Sequence, residues 1–292
     1  MINVLVTGAN GQLGLCIKDL ERNYTDLNFI YTDYEDLDIT DLNQVNQFFE
    51  IHKPIHYCVN CAAYTAVDKA EEEPELAFKI NAEGPKNLAM ACLENKATLI
   101  QISTDFVFDG TTTTPYKESD LPNPISTYGA SKWEGEKHIQ AILAKQFIIR
   151  TSWLYSPYGS NFVKTMLHLA ETKTELNVVN DQIGTPTNAY DLAEAIIHII
   201  SKHMLLEQNN ELKKLYGTYH FSNEGACSWY DFAKKIFSIN KINIDLQPIP
   251  SSSYPTPAKR PVYSVLDKSK IKHVFGVNIQ SWEQSLKNCI SV

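Results

Sequence analysis

The chain has 292 residues, 43% hydrophobic and 21% charged, an ordinary globular composition and enough length for two lobes around a shared cleft. Its formal net charge of −8 argues against a nucleic-acid or anionic-membrane surface, either of which would need clustered Lys and Arg. No apolar run approaches the roughly 20 residues that span a bilayer, and the opening MINVLVTGANG lacks the basic and long apolar regions of a signal peptide, so a cytoplasmic protein is expected.

Residues 2–7 (INVLVT) are a β-branched apolar run ending in Gly8, the pattern of a buried strand. From Gly11 to about Arg22, apolar residues at Leu13, Ile17 and Leu20 have helical spacing. Asn28–Tyr31 predicts a second strand. Asp41 caps a helix carrying Val45, Phe48 and Phe49 that closes before Pro54. His56–Asn60 predicts a third strand, Glu75–Glu94 a long helix, Ala97–Ser103 a fourth strand, Thr127–Lys145 a helix and Gln146–Thr151 a fifth strand. Strand and helix in alternation mean an α/β fold with a doubly wound parallel sheet, here over residues 1–152.

After Ser152 the alternation weakens. Residues 153–292 read as a smaller lobe, with some elements returning to the sheet. Helices are expected at Asn161–Glu171, Tyr190–His203 and Trp229–Ser238, and short strands at Leu176–Val179 and Thr218–Phe221. The proline-rich stretch 248–261 is expected to hold no regular element. Cys58 and Cys61 form a C-x-x-C, but no second Cys or His pair completes a zinc site, so reduced thiols and no metal are expected. The eight histidines show no metal spacing.

Gly8, Gly11 and Gly14 form G-x-x-G-x-x-G between the first strand and the first helix. Glycines suit a sharp turn whose backbone must approach a pyrophosphate, and the helix N-terminus offers amide donors and partial positive charge. Asp33, at the end of the second strand, is where a carboxylate would bond the adenosine ribose of a nicotinamide dinucleotide. A carboxylate repels a 2′-phosphate, which leans toward NADH over NADPH. Asp38 and Ile39 are close enough to flank the adenine, although a helix-entry role is equally open. The small residues Cys61, Ala62 and Ala63 end the third strand and leave room for a cofactor lying flat.

A Y-x-x-x-K follows as Tyr128 and Lys132, four apart on one helical face. A phenol with an intrinsic pKa near 10 is a poor acid–base group at neutral pH, and a neighbouring cation favours its phenolate. Ser103 and Thr104 end the fourth strand, at the sheet edge where doubly wound folds bind ligands, and a hydroxyl there can bond a substrate carbonyl and the Tyr128 oxygen.

These residues, with the stretches TGANGQLG (7–14), CAAYTAVDKAE (61–71), STDFVFDG (103–110), YGASKWEGE (128–136), RTSWLY (150–155), NFVKTM (161–166), DQIGTPT (181–187) and RPVYSVLD (260–267), give a chain that resembles the extended short-chain dehydrogenases. Within them it is similar to the reductases that act on dTDP-4-dehydro-L-rhamnose. The resemblance implies a Rossmann-like fold and reduction of a C4 ketone by NADPH or NADH. It implies Tyr128 as proton donor, Lys132 as its partner and Thr104 as the residue that tunes it. Asn10, Gln12 and Leu13 would line the pyrophosphate, Asp33, Asp38 and Ile39 the adenosine, and Ala62, Ala63 and Tyr64 the nicotinamide side. Thr65, Val67, Thr104, Asp105, Phe106, Trp153 and Arg260 would meet the sugar nucleotide. For Trp153 a plain core role, and for Arg260 a solvated loop role, stand beside these readings.

Two positions depart from the family pattern. Phe106 stands where a tyrosine is usual. Cys16 stands where some relatives carry a glutamate that helps hold magnesium at a dimer interface, so a monomer or a metal-independent homodimer is expected. The alternatives are another nucleotide-sugar ketoreductase or epimerase on the same scaffold, and a non-catalytic NADP-binding regulatory subunit.

Overall fold

The first strand, β1 (Ile2–Thr7), is buried over its last four residues. Its side chains serve two cores: Val4 and Val6 face one side of a sheet and Leu5 the other. Buried on both faces, such a strand reads as continuous apolar sequence, the mark of a parallel sheet covered twice. The computed structural model, which describes residues 1–207 and 215–290, continues with α1 (Gln12–Leu20), β2 (Leu27–Thr32), α2 (Leu42–Ile51) and β3 (Tyr57–Asn60). Asp41 caps α2 as expected, its Oδ1 accepting from the Asn43 and Gln44 amides.

The long helix expected over 75–94 is α3 (Pro74–Phe78), one π turn (Lys79–Glu83) and α4 (Gly84–Asn95) end to end. Then come β4 (Thr98–Thr104), α5 (Thr127–Ile142) and β5 (Gln146–Thr151). α5 stops at Ile142 rather than Lys145 because Leu143 turns extended, at φ −124° and ψ 116°.

The second half runs β6 (Leu154–Tyr155), α6 (Phe162–Ala170), β7 (Glu175–Val179), β8 (Ile183–Gly184), β9 (Thr187–Asn188), α7 (Ala189–Glu207), β10 (Gly217–His220), β11 (Cys227–Ser228), α8 (Trp229–Asn240), β12 (Asp245–Ile249), α9 (Ser269–Phe275) and α10 (Trp282–Ile290). One expectation needs correcting. Pro248 and Ile249 belong to a strand, because β12 pairs in parallel with β7 in a two-stranded sheet whose open edges tolerate a residue without an N–H.

The main sheet has the order β10-β5-β4-β3-β1-β2, every pair parallel. β2 lies on one side of β1 and the later strands on the other, so a crevice opens where β1 and β3 end. One face packs against α1, α7 and α9 through residues such as Leu13, Ile17, Ile196 and Phe275. The other packs against α2, α4 and α5 through Val45, Phe49, Leu88 and Ile139. Burying each such side chain contributes about 1.5–3 kcal/mol. A third core, including Tyr155, Met166, Phe232 and Trp282, holds α6, α8 and α10 together. No described helix is long and apolar enough to cross a membrane.

Candidate active site

Gly8 ends β1 with φ +64°, and a Cβ placed there would lie 2.5 Å from the Ala62 backbone nitrogen. Gly14 is equally confined, since its Cβ would meet Ala9 Cα at 2.6 Å. The turn therefore needs glycine for its backbone angle at one end and for close packing at the other. Gly11 opens α1 without a side-chain cap, which leaves the first amides of the helix to an external acceptor. This cradle, free of side chains beside uncapped amides, fits a dinucleotide pyrophosphate.

A cleft of about 350 Å³ opens here, lined by Gly8, Gly11, Asp33, Asp38, Ile39, Ala62 and Ala63 of the residues singled out from sequence. Asp33 is fixed at the strand end: its two oxygens accept from the Asn10 and Tyr34 amides, each at 2.8 Å. Asp38 lines the cleft and also performs the local role weighed for it, accepting from the Thr40 amide and hydroxyl at 2.9 and 2.7 Å. Asn10, Gln12, Leu13, Gly14, Tyr64, Tyr128 and Lys132 do not line this cleft. Leu13 points into the core. Gln12 instead accepts from Ser156 at 3.0 Å and from Asn161 at 2.9 Å, tying the glycine turn to the second half of the chain. Tyr64 donates its hydroxyl to Glu73 at 2.7 Å.

α5 starts at an N-cap, Ser126, whose hydroxyl accepts from Gly129 at 3.2 Å. Glu71 adds a second hold, accepting from the Thr127 amide and hydroxyl at 2.8 and 2.7 Å. Gly129 admits the close approach of the helix to the loop after β4: a Cβ there would sit 2.1 Å from the Phe106 carbonyl oxygen. Tyr128 is thereby brought to Thr104, whose hydroxyl favours the ionised phenol. The Thr104 hydroxyl donates onward to Asp105 Oδ1 at 3.0 Å. Lys132, buried behind Tyr128, donates to the Ile102 carbonyl at 2.7 Å.

Burial dominates the proton affinities. It pushes the Tyr128 phenol up to about 12, against the Thr104 hydrogen bond and with the help of Asp105. It pulls the Lys132 ammonium down to about 8, opposed by Glu136 and Cys61. It raises Asp105 to about 6 despite the hydrogen bond from Thr104. Desolvation is the largest influence on the Tyr128 phenol, and the Lys132 ammonium, which sequence sets four residues along the helix, donates to the Ile102 carbonyl. A neutral phenol is the form that can donate a proton to a carbonyl being reduced.

The remaining sequence-chosen residues fall in several places. Thr65 is exposed and Val67 half-buried, on the loop after β3. Phe106 meets the Tyr128 ring edge-on, centroids 5.6 Å apart, where a tyrosine would have placed a hydroxyl. Trp153 takes φ +47°, rare for a bulky residue, and lies flat on Trp229 with centroids 3.5 Å apart. Arg260 forms a two-pronged pair with Asp68 at 3.0 and 2.7 Å, so it is neither loose nor merely solvated. It also lines a second cleft of about 490 Å³, with Phe162, Met166, Leu176, Trp229 and Tyr254.

Sequence reasoning missed Asn81, which is 1% exposed and joins the loop after β3 to α5. Its Oδ1 accepts from the Tyr64 amide at 2.9 Å, and its Nδ2 donates to the Tyr64 carbonyl and to Ser131, each at 3.0 Å. An asparagine inside an expected helix was the available signal, and its burial shows only in the fold. Cys58 and Cys61 carry free thiols, and no metal-holding group of His, Cys, Asp and Glu occurs among the described residues.

A doubly wound parallel sheet, a glycine turn at its switch point and a Tyr128–Lys132 helix beside the end of β4 define an extended short-chain dehydrogenase/reductase. The chain belongs to the RmlD substrate binding domain family, whose model matches residues 2–292. It is 40% identical to a dTDP-4-dehydrorhamnose reductase of Aggregatibacter actinomycetemcomitans, covering 99% of this chain and 98% of that one. Among solved structures it is similar to a dTDP-4-dehydrorhamnose reductase from Clostridium acetobutylicum, with 46% identity, 99% of each chain covered and a TM-score of 0.92. It is likewise similar to one from Bacillus anthracis in complex with NADP, with 42% identity, 100% of this chain and 99% of that one covered, and a TM-score of 0.92.

Proposed function

We propose that the chain reduces the C4 ketone of dTDP-4-dehydro-L-rhamnose to give dTDP-L-rhamnose, a precursor of cell-surface polysaccharide. The observation that carries this reading is the packing of α5 on the end of β4, which sets Tyr128 against Phe106 and Thr104 and Lys132 on the Ile102 carbonyl. A bound nicotinamide coenzyme supplies the hydride. Tyr128 gives its phenolic proton to the ketone oxygen as that oxygen gains charge. Thr104 holds the phenol by its hydroxyl, which also hydrogen-bonds to Asp105 Oδ1 at 3.0 Å. Lys132, cationic below about pH 8, stabilises the phenolate left behind and is close enough along the helix face to meet the coenzyme ribose.

Gly8, Gly11, Asp33, Asp38, Ile39, Ala62 and Ala63 are the coenzyme contacts this reading favours; Asn10, Gln12, Leu13 and Gly14 serve through backbone and packing. The ketosugar would meet Thr104, Asp105, Phe106, Trp153, Thr65 and Val67. The second cleft, with Trp229 and Phe162 as an aromatic wall and Arg260 at its rim, suits a pyrimidine nucleotide. In this division residues 1–152 handle the coenzyme and residues 153–292 most of the sugar nucleotide. NADH and NADPH are both accepted: Asp33 suits the free ribose, whereas a relative is solved with NADP. Six unpaired thiols suit a cytoplasmic enzyme. Assembly, as monomer or homodimer, is metal-independent, because Cys16 faces the core and burial pushes its thiol up to about 12.

The deciding assay follows NADH and NADPH consumption with dTDP-4-dehydro-L-rhamnose generated in situ. Consumption with formation of dTDP-L-rhamnose is expected. Coenzyme binding without consumption would leave the regulatory-subunit reading in its place, and turnover of a different ketosugar the wider ketoreductase reading.

A further inference from the structure

α5 carries a third buried ionisable group. Glu136 lies one turn beyond Lys132 and two beyond Tyr128, so the three share one helical face. Its side chain is 0% exposed, and its ion partner, Arg150 of β5, is 2% exposed. The Arg150 Nε donates to Oε1 at 3.0 Å and Nη2 to Oε2 at 2.7 Å, while the Ser103 hydroxyl of β4 donates to Oε1 at 2.5 Å. Arg150 is itself wedged over the Phe108 ring, 5.1 Å from its centroid, with the His220 imidazole of β10 at 3.5 Å from Nη1. Burial and the Arg150 charge push His220 down to about 3, so it stays neutral and adds no competing charge.

A fully buried ion pair is a poor way to stabilise a fold, since well-packed apolar residues do as well or better. This pair therefore calls for another use, and its position supplies one. The groups acting on Lys132 are Glu136 from its own helix, the Cys61 thiol just after β3 and the Ile102 carbonyl of β4, with Tyr128 one turn before it on the same helical face. Burial raises Cys61 far above the ordinary thiol range, so it stays neutral. Glu136 is left as the anion acting on the ammonium, while Arg150 draws on the same carboxylate from the other side.

We propose that Glu136 is a positioning residue for the reduction: locked by Arg150 and Ser103 one turn from Lys132 on the same buried helical face, its carboxylate acts through space to keep Lys132 charged, and Arg150 sets how much of that negative charge Lys132 feels. The proposal rests on the reductase reading for its activity readout but not for its titration readout.

The two partners act on Lys132 with opposite sign, which gives the test. In E136Q the ammonium loses its anion and releases its proton at lower pH. The alkaline limb of kcat/KM, and the Lys132 resonance in a [¹³Cε]lysine NMR titration assigned with K132M, both move down by about one pH unit. In R150M the carboxylate is no longer shared, and both move up. E136D, which keeps the charge, returns the limb to within a few tenths of a unit of wild type. A purely structural pair would lower kcat at every pH and leave both titrations in place. Thermal melts and coenzyme binding certify each variant. Should a single variant fail to fold, E136Q/R150M leaves no unpaired buried charge and must still move the limb down. An unmoved Lys132 titration in E136Q or in the double variant, or shifts of the same sign in E136Q and R150M, overturns the proposal. Lack of reductase activity in wild type would overturn the functional reading alone, with the NMR titration still deciding this one.

Discussion

The cleft at the ends of β1, β2 and β3 and the cleft among α6, β7 and α8 have comparable volumes, about 350 and 490 Å³, but opposite construction. The first is made at successive strand ends of one α/β run: Gly8 and Gly11 after β1, Asp33 to Thr40 after β2, Cys61 to Ala63 after β3, and Leu76, Lys79 and Ile80 from the helix that follows. The second gathers Phe162, Leu176, Trp229, Tyr254 and Arg260 from far-separated segments, and its wall is a stack that no local pattern announces. A site built on backbone angles shows itself through residues that only those angles need. A site built on packed side chains shows itself only when the chain is folded.

The sharpest contrast is chemical. Tyr128→Phe keeps the ring against Phe106 and removes the proton donor, so turnover should fall about 10²–10⁴-fold with coenzyme affinity nearly unchanged. Stopped-flow reduction and coenzyme fluorescence titration measure the two sides, and activity within a few-fold of wild type would remove Tyr128 from its role.

A pair of glycine variants then sets one cleft against the other. Gly8→Ala forces a Cβ onto the Ala62 backbone at a left-handed angle, and should lose about 1–3 kcal/mol of stability together with most coenzyme affinity. Gly184→Ala places its Cβ 2.5 Å from the Trp153 indole and should disturb the Trp153–Trp229 stack. Its expected result is a roughly tenfold rise in KM for the sugar nucleotide, from about 1.4 kcal/mol of lost binding, with coenzyme affinity intact. If both variants lose the same ligand, the division of labour between the clefts is wrong.

Asp33 sharpens the first cleft further. Asp33→Ala removes a carboxylate that would repel a 2′-phosphate, and the NADPH-to-NADH efficiency ratio should rise about tenfold. An unchanged ratio would mean that the carboxylate serves only the Asn10 and Tyr34 amides.

The smallest expected effect is none. Light scattering and initial rates should be the same with and without EDTA at fixed ionic strength. A chelator-induced loss of mass or rate, restored by magnesium, would show that the reading of Cys16 is mistaken.

Much of the coenzyme side was legible because its signals are local. Each of Gly8, Gly11 and Asp33 sits at a strand end that alternation already marks, and Asp41 announces its helix by capping chemistry. The side chains of Leu13 and Gln12, chosen with the same motif, go to the core and to Ser156, since a motif does not say whether a position contributes its backbone or its side chain. The strand at β12 was hidden by Pro248, and Asn81 by a helix that shifts to π geometry around it.

Sequence by itself determined the parallel sheet, the glycine turn and the pairing of Tyr128 with Lys132, because strand period, helix period and conformational need are properties of short segments. Only the tertiary structure moved the proton affinities of that pair. The Tyr128 phenol is raised and the Lys132 ammonium lowered by burial under elements distant in the chain, and Glu136 gains its hold on Lys132 only once β4 and β5 bring Ser103 and Arg150 beneath α5. Desolvation depends on everything that surrounds a group, and no local pattern encodes what will surround it.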